Sequence, residues 1–389
     1  MSTLKCEVCK IENILPHGNA DRLEISLVKG WQCITLKEKY KTGDEIVYIP
    51  IDSMIPFQLS EKIGVTNYLH NQKKDEKGNI ISGRVKTIKL RGIISQGLII
   101  DKLDNSWKIG EDVREILGIT KYVIQTKEER KRRWILGHKK YESWRLPPLP
   151  NFPKYTDIEN FKNHTNIIEN DELVVISEKL HGTNFRAALL SIDQIKEYLP
   201  RIERFKLTIR KHLHRIFKFI QYEENRLFVG SRNCNLKDKK RNDLCNDSYW
   251  NIAKRYNLKD KLKPGEVIYG EIIGKKIQFL DYGLEEVQVR FFDLFREGKY
   301  VNFEEFKKIY IERNLPSVPI LFIGKFSSET LKNLSKGNST IAEHIKEGCV
   351  VKPLEERYDG RLGRVILKFI NDEYLLEKTE KDLEDLVEH

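Results

Sequence analysis

The chain has 389 residues, more than one ordinary domain holds, so we expect two domains. Hydrophobic residues make up 40% of it, charged residues make up 33% and the net charge is +11, a composition typical of a globular protein that can approach phosphate groups. No segment has the pattern of a signal peptide or approaches the roughly 20 apolar residues that span a bilayer, so we expect an intracellular protein with no membrane partner.

The N-terminal region, from Lys5 to about Leu103, consists of short apolar segments separated by turn residues. Its strand-like segments are CEVCKIENI, RLEISLV, QCITL, DEIVYIPI, RVKTIKL and SQGLIID. Short strands at regular intervals predict a small closed β-barrel of the OB type, which we place at residues 1–124. Cys6 and Cys9 have C-x-x-C spacing, but a zinc ribbon needs a second pair, so we expect reduced thiols in a strand.

Three short segments of the predicted barrel carry a further signal. PHGNADRL begins at Pro16, LRG begins at Leu90 and SQGL begins at Ser95. Together they resemble the tRNA-binding OB modules that are appended to some tRNA synthetases. The resemblance implies contact with single-stranded or structured RNA, although residues that only shape the barrel would give the same pattern.

The pattern changes between residues 125 and 165. A charged run from Lys127 to Arg133 is followed by Trp144 and by prolines that include Pro147 and Pro150. Proline removes backbone donors and clustered charge resists burial, so we predict a linker without a core. The charged run is either a solvated face or a contact with nucleic acid.

Apolar, β-branched segments return after the linker and predict a second domain at residues 166–389. Its strand-like segments are ELVVISEKL, RLFVGSR, EVIYGEII, VQVRFFDLF, GCVVKPL and RVILKFI. Helices are predicted from Ser248 to Tyr256 and from Asn302 to Arg313. Strands with intervening helices place the chain in the α+β class, with the barrel first.

The stretch from Asp193 to Tyr222 has apolar and basic residues at helical spacing. Its apolar positions are Ile202, Phe205, Ile209, Leu213 and Phe217, and basic residues lie between them. One side of such a helix could pack on the protein while the other side meets phosphate. A solvated basic face is the alternative.

A lysine stands where a strand-like segment of the second domain ends, in the sequence EKLHGTN at residues 178–184. A charged amine at the end of an apolar strand costs desolvation free energy unless it is used, and an amine among cations has a lowered pKa and becomes nucleophilic. Gly182 would let the backbone pass close to a nucleotide. Lys179 is therefore a candidate nucleophile.

The K-x-H-G-x-N pattern of this segment resembles the nucleotidyl-transfer motif of RNA ligases, within the superfamily of covalent nucleotidyltransferases. DNA ligases and capping enzymes usually have K-x-D-G, so His181 and Asn184 favour an RNA ligase. Further family motifs follow in the family's order: FVGSRN from Phe228, IYGE from Ile268, VRFFD from Val289, EGCVVK from Glu347 and VILKF from Val365. Each motif is short, and their joint order carries the resemblance.

The resemblance implies the chemistry of the second domain. Lys179 would attack the α-phosphate of ATP, release pyrophosphate and carry AMP, while Lys368 would neutralise the phosphates. Glu271 and Glu347 would hold the ribose hydroxyls or, through water, Mg²⁺ or Mn²⁺. Surface ion pairs would explain the same carboxylates, but the ordered set of motifs favours the site.

The resemblance also implies contacts with the nucleotide. Arg232 would contact the ribose and the incoming phosphate, Phe292 would stack on adenine, and Glu178 would read the adenine amino group. The complete nucleotide-binding set is Glu178, His181, Asn184, Arg232, Phe292 and Lys352. The sequence departs from the family's K-x-K motif, since Ile366 occupies the outer position. Arg364 could compensate for it.

The arrangement of domains resembles the Naegleria and Deinococcus type of RNA ligase, which has an OB domain in front of an ATP-grasp-like nucleotidyltransferase domain of antiparallel sheets with flanking helices. About twenty residues follow the last motif, too few for a further domain. The resemblance implies a monomer that seals 3′-hydroxyl, 5′-phosphate nicks in RNA-containing duplexes during RNA repair. The OB domain would then assist lysine adenylylation as well as substrate contact.

Two alternatives remain at this stage. A GTP-dependent capping guanylyltransferase uses the same covalent chemistry, but a missing C-terminal domain argues against it. A non-catalytic RNA-binding protein could be built on a decayed ligase, but the intact candidate residues Lys179, Glu271, Glu347 and Lys368 argue against decay.

Overall fold

The computed structural model describes residues 4–122, 145–146, 148–149, 151–199, 201–218, 222–238, 244–275, 277–278, 280 and 282–376. The chain divides into two compact units. Unit 1 comprises Met1–His138 and Asp372–His389, and unit 2 comprises Lys139–Asn371. None of the helices described in either unit is both long enough and apolar enough to cross a bilayer.

Unit 1 is built from short antiparallel strands. They are β1 (Glu7–Lys10), β2 (Asn13–Pro16), β3 (Leu23–Val28), β4 (Trp31–Leu36), β5 (Glu45–Ile49), β6 (Ser53–Pro56), β7 (His70–Lys74), β8 (Ile80–Arg84), β9 (Thr87–Leu90), β10 (Ile93–Gln96), β11 (Leu98–Asp101) and β12 (Thr120–Lys121). Helix α1 (Phe57–Lys62) and a 3₁₀ turn (Thr66–Tyr68) lie between β6 and β7. The strand orders are β1-β5-β11, β2-β3-β4, β9-β10 and β12-β6-β8-β7.

The local sequence explains the barrel strands of unit 1. β3 and β4 form a hairpin whose two turn residues, Lys29 and Gly30, both have positive φ, as a tight two-residue turn requires. Alternate residues of β1 and β5 enter two adjoining cores, one around Val8 and Val47 and the other around Trp31. Each segment predicted as a strand in the barrel region overlaps an observed strand. The predicted OB-type barrel is confirmed.

Unit 2 contains two large sheets. Its strands are β13 (Arg145–Leu146), β14 (Glu159–Asn160), β15 (Leu173–Glu178), β16 (Thr183–Ser191), β17 (Asn225–Ser231), β18 (Asn235–Leu236), β19 (Val267–Ile273), β20 (Gln288–Arg296), β21 (Lys299–Tyr300), β22 (Ile320–Lys325), β23 (Gly348–Pro353), β24 (Tyr358–Asp359), β25 (Gly363–Arg364) and β26 (Leu367–Ile370). The orders are β13-β18-β17-β16-β19-β20-β21 and β14-β26-β23-β15-β22. The pairings are antiparallel except that of β14 with β26.

Helices connect and cover these sheets. They are α2 (Ile192–Ile195), α3 (Arg201–Ile216), α4 (Leu244–Arg255), α5 (Leu258–Lys261), α6 (Phe303–Glu312) and α7 (Ser328–Leu334), with 3₁₀ turns at Phe161–Asn163 and Lys196–Tyr198. The seven-stranded sheet packs one face on α4, α5 and α6, and turns its other face toward the five-stranded sheet. The five-stranded sheet packs its far face on α7. The predicted helices correspond to α4 and α6, and the α+β fold class is confirmed.

The structure differs from the predicted linker at 125–165. The side chains of Leu149, Phe152, Tyr155 and Phe161 are buried in the cores of unit 2. Prolines limit the regular structure described in this segment to two short strands and a 3₁₀ turn, but they do not keep its apolar side chains out of a core. The prediction of a coreless segment was therefore wrong here. The charged run from 127 to 133 and Trp144 lie outside the described residues.

The C-terminal boundary also differs from the predicted second domain at 166–389. The chain leaves unit 2 after Asn371, and residues 372–376 form a helical turn that belongs to unit 1. There Gln96 donates a hydrogen bond from Nε2 to Asp372 Oδ1 at 2.8 Å. Cys6 and Cys9 are buried free thiols, and burial raises the pKa of each to about 12, so both remain protonated in the core.

Candidate active site

Lys179 is positioned by the pairing of β15 with β23. Glu178, the last residue of β15, lies opposite Cys349, and the backbone amide of Lys179 donates to the Gly348 carbonyl at 3.0 Å. This register places Lys179 beside Glu347, which directly precedes β23. Lys179 Nζ donates to Glu347 Oε2 at 2.7 Å, and both side chains remain partly exposed. The nearest charged neighbour of the candidate nucleophile is thus a carboxylate, and not the cation that the sequence argument invoked.

Glu271 faces the same site from the seven-stranded sheet. It is paired with Asn184 where β19 runs beside β16. Gly182 makes this approach possible, since a Cβ on it would lie 2.1 Å from the Ile272 carbonyl oxygen. The Gly182 amide also donates a hydrogen bond to the Glu271 carboxylate. Asn184 Oδ1 is buried and has no hydrogen-bond partner among the described residues.

Burial dominates the electrostatics of Glu271. It raises the pKa of this carboxyl to about 8, with Lys179 acting in the opposite direction and Glu347 adding to the rise. Two neighbouring carboxylates repel each other, so a positive charge placed near both of them stabilises the pair. The site therefore favours a metal cation or a lysine ammonium between the Glu271 and Glu347 carboxylates.

Lys368 brings a second amine to the site. It lies on β26, opposite Val350 of β23. Burial lowers the pKa of its ammonium, and the charge of Lys179 lowers it further, while Glu347 opposes both. A partly buried ammonium near another ammonium is stabilised by an anion such as phosphate.

Arg232 completes the group from the end of β17. Its guanidinium forms a salt bridge with Asp157, and more than half of the side chain is exposed. Its charge also acts on Glu271 and Lys368. The structure therefore brings together these sequence-predicted residues: Lys179, His181, Asn184, Arg232, Glu271, Glu347 and Lys368. His181 belongs to this set because its Nδ1 lies 3.8 Å from Glu347 Oε2.

Lys352 and Arg364 lie instead in a separate buried cluster. Lys352 Nζ donates to Asp293 Oδ1 at 2.5 Å and to Glu356 Oε1 at 3.1 Å. The Arg364 guanidinium donates to the same two carboxylates. Arg364 therefore does not compensate for Ile366, whose side chain is buried in an apolar core. Lys352 was expected to bind nucleotide, and its amine is committed to this cluster.

The buried cluster also fixes its own charge state. Burial disfavours the ionised form of Asp293, but the Arg364 and Lys352 cations outweigh it and hold the pKa of this carboxyl below its usual value. Tyr155 also donates its hydroxyl proton to Asp293. All of these groups are satisfied within the protein, so the cluster has the character of a structural element.

Two further predicted contacts have protein partners. The Glu178 carboxylate is buried and accepts hydrogen bonds from the Ser339 hydroxyl and from the amide and hydroxyl of Thr340, the latter two at 2.8 and 2.6 Å. Phe292 packs edge to face against Tyr155, with ring centroids 4.8 Å apart. Both side chains are therefore held in place by contacts within the protein.

Sequence reasoning missed several residues that shape the site. Asp157 holds Arg232, Thr340 and Ser339 hold Glu178, and the Tyr282 hydroxyl accepts the His181 amide proton at 2.6 Å. None of them lies in a recognised motif, so only distance in space reveals them. Asp293 stood in the quoted VRFFD motif, and its charge at a strand position was a signal that could have been used.

The residues present fit a cation that is held mainly by substrate and water. Among the described residues no three His, Cys, Asp or Glu side chains form a group that could enclose a metal ion. Glu271 and Glu347 remain as a pair of carboxylates, with the unpartnered carbonyl oxygen of Asn184 nearby in the sheet. Mg²⁺ typically takes one or two carboxylates, with phosphates and waters completing its shell.

The second unit has two facing, mainly antiparallel sheets, with two lysines and two carboxylates gathered at their edge. This arrangement is that of a nucleotidyltransferase domain, and an OB barrel precedes it in the chain. A model of the RNA ligase family matches residues 172–370, and a model of an OB-fold domain matches residues 5–102. The chain belongs to the RNA ligase family. The predicted family, an RNA ligase with an N-terminal OB domain, is confirmed.

Solved structures share the fold of the chain. The chain is similar to the Naegleria gruberi RNA ligase with pyrophosphate, at 23% identity and a TM-score of 0.68, over 98% of this chain and 100% of that one. It is also similar to a variant of that ligase with ATP and manganese, at 25% identity and a TM-score of 0.67, over 97% and 99% of the two chains. A variant with AMP and manganese matches at 23% identity and a TM-score of 0.64, over 96% and 98%. No curated protein sequence matches the chain.

Proposed function

We propose that the chain is an ATP-dependent ligase that seals breaks between a 3′-hydroxyl and a 5′-phosphate in RNA through AMP carried on Lys179. The main observation behind this proposal is the 2.7 Å hydrogen bond from Lys179 Nζ to Glu347. The charge of Lys179 also acts on Glu271 and Lys368, which lie in the same site. An amine oriented by a carboxylate and flanked by a second cation suits attack on a phosphate.

The bound molecules of the similar structures support the same reaction. The Naegleria gruberi structures hold ATP with manganese, AMP with manganese, or pyrophosphate. These are the substrate of lysine adenylylation, the transferred group and the leaving group. ATP rather than GTP is therefore the proposed nucleotide for this chain.

In the first step the Lys179 amine attacks the α-phosphorus of ATP. The new P–N bond replaces the P–O bond to pyrophosphate, which leaves. Before it attacks, the ammonium gives up a proton, for which Glu347 Oε2 is the nearest acceptor. Lys368 neutralises charge on the α-phosphate, while Glu178, held by Thr340, contacts the base.

A divalent metal held through water by Glu271 and Glu347 would neutralise the phosphate oxygens. The chain's own residues then serve the two later steps. An oxygen of the 5′-phosphate at the break takes the AMP from Lys179, which leaves as the amine. The 3′-hydroxyl attacks that 5′-phosphorus and releases AMP, so a phosphodiester bond replaces the anhydride. Arg232, half exposed at the edge of the site, is placed to bind the incoming phosphate.

Covalent labelling tests the nucleophile. Purified chain with ATP labelled at the α-phosphate and a divalent metal is expected to retain label, and Lys179→Ala is expected to abolish it. Lys254→Ala is the matched control, since Lys254 is an exposed lysine paired with Asp238 outside the site. Label that survives Lys179→Ala would refute the assignment, and label from GTP but not ATP would favour a capping enzyme.

A sealing assay tests the substrate. Nicked duplexes whose 3′-hydroxyl strand is RNA are expected to be sealed, whereas those with a DNA 3′-hydroxyl strand and single-stranded RNA are expected to be poor substrates. Binding of all these nucleic acids with no sealing of any of them would instead support a non-catalytic RNA-binding protein.

A further inference from the structure

Helix α3 presents its apolar side to solvent. Its apolar stripe, which we call the α3 stripe, consists of Ile202, Phe205, Ile209, Leu213 and Ile216. These side chains are between 36% and 70% exposed. Their spacing of three to four residues places them on one side of the helix along its whole length. The sequence pattern was compatible with packing of this side on the protein, but in the structure these side chains are exposed.

The opposite side of α3 contacts the rest of unit 2. Lys211 Nζ donates to Asp193 Oδ2 at 2.5 Å, and the His214 ring lies 6.1 Å from that of Tyr222. Leu207 packs against the core between the two sheets. Because successive residues turn by about 100°, Ile209 lies roughly opposite Leu207 on the helix. The α3 stripe therefore points away from the core that anchors the helix.

Basic side chains border the α3 stripe on both sides. Lys206 and Arg210 follow one edge, Arg201 and Arg215 follow the other, and all four are exposed. From Arg201 to Lys218 the chain has seven Lys or Arg residues and one acidic residue. A helix with an apolar stripe between two rows of cations has the pattern of one that lies in the interface of an anionic membrane.

We propose that α3 binds the surface of a membrane that contains anionic lipid, with the α3 stripe at the acyl boundary and the flanking cations at the headgroups. A nucleic acid would satisfy the cations and leave branched apolar side chains in water. A second copy of the chain would bring the same positive charge to the contact. An anionic membrane satisfies both features at once, over the whole helix.

The helix lies on such a membrane and does not cross it. Its sixteen residues span about 24 Å, which is less than the roughly 30 Å hydrocarbon core, and charged residues occur along its whole length. The expectation of no membrane partner was drawn from the lack of a spanning segment and took no account of binding at the surface.

Vesicle flotation with the full-length chain tests the proposal. Vesicles of three parts phosphatidylcholine to one part phosphatidylserine are expected to carry the chain, and vesicles of phosphatidylcholine alone are expected not to. The double variant Ile202→Glu, Phe205→Glu is expected to reduce the bound fraction about tenfold or more, because glutamate does not enter the acyl boundary. Ile311→Glu, at an equally exposed isoleucine of α6, is the matched control and is expected to float like the wild type.

The charged rows are tested separately. Lys206→Glu with Arg210→Glu is expected to remove the preference for anionic vesicles, whereas Lys307→Glu with Lys308→Glu on α6 is expected to retain it. Circular dichroism and thermal unfolding confirm that each variant is folded. Flotation with neither vesicle, or equal flotation of the Ile202→Glu, Phe205→Glu variant, would overturn the proposal. The proposal would also be overturned if the wild type did not float and an α3 variant lost RNA binding or self-association, because the helix would then bind RNA or a second copy of the chain.

Discussion

Unit 2 contains two clusters of the same composition, each with two cations and two carboxylates. In the buried cluster, Lys352 and Arg364 each contact both Asp293 and Glu356, and all four side chains are at most 8% exposed. The site cluster consists of Lys179, Lys368, Glu271 and Glu347. Its one salt bridge among the described residues joins Lys179 to Glu347, and both of these side chains reach solvent.

The charges of the buried cluster neutralise each other, whereas those of the site cluster are arranged to bind a ligand. Complete pairing offsets much of the desolvation cost in the buried cluster, so its pKa shifts favour the charged forms. In the site cluster, burial shifts Glu271 and Lys368 toward their neutral forms, and among the described residues neither of them has a salt bridge that offsets this shift. Ionisable groups near solvent whose pKa values are shifted toward the neutral form are typical of a site where substrate and metal supply the opposite charges.

The largest effect is expected in the buried cluster. Asp293→Ala would leave the Lys352 and Arg364 cations with Glu356 alone, so the free energy of unfolding of unit 2 should fall by about 3–5 kcal/mol. Urea unfolding measures this change. Asp238→Ala removes one partner of an exposed pair with Lys254 and should change the free energy by no more than about 0.5 kcal/mol. Similar losses in the two variants would show that the cluster is not the structural element we infer.

The opposite outcome is expected in the site cluster. Lys368→Ala should slow lysine adenylylation by about 10²–10³-fold, or roughly 3–4 kcal/mol, because it removes a preorganised charge at the phosphate. The free energy of unfolding should not fall, since Lys368 forms no salt bridge with any of the described residues. Single-turnover labelling at saturating ATP, beside urea unfolding, measures both quantities. Lys325→Ala, at an exposed lysine of the same sheet, is the control, and a shared loss of stability would contradict the contrast.

The sequence predicted the site cluster because its residues stand in recognisable motifs that follow one another in the family's order. The pairing of β15 with β23 and of β16 with β19 then brings Lys179, Glu347 and Glu271 together. The barrel was predictable for a similar reason, since its strands are short and punctuated by turns. Local pattern and order were sufficient in both regions.

The buried cluster could not be predicted in this way. Lys352 and Lys368 are both lysines in apolar strands, and only the partner from a distant strand, Asp293, distinguishes them. The same limit applies to α3, whose periodicity predicts an amphipathic helix but does not say which side faces the protein. In the segment after residue 145, proline indicated irregular backbone, and the burial of Phe152 and Tyr155 depends on contacts with Arg186 and Asp293 far along the chain.

A smaller effect is expected from the backbone that supports the site. An Ala Cβ at position 182 would lie 2.1 Å from the Ile272 carbonyl, so Gly182→Ala should force β16 and β19 apart and displace Glu271. We expect a loss of about 1–3 kcal/mol in the free energy of unfolding, together with slower adenylylation. Gly360→Ala is the matched control, because no atom beyond its two chain neighbours lies within 4 Å of its Cβ position. An unchanged adenylylation rate in Gly182→Ala would show that this close approach does not set the position of Glu271.

The smallest effect concerns the orientation of Glu178. Thr340→Val removes the hydroxyl that donates to Glu178 at 2.6 Å and leaves the amide and the Ser339 hydroxyl in place. The loss of one hydrogen bond to a charged group should weaken ATP binding by about 1–2 kcal/mol, which raises KM for adenylylation by roughly 5–30-fold at unchanged kcat. Thr208→Val, which removes an exposed hydroxyl of α3, should leave KM unchanged. A fall in kcat with KM unchanged would instead place Thr340 in the chemical step, because an interaction that only binds the base acts equally on the ground state and the transition state.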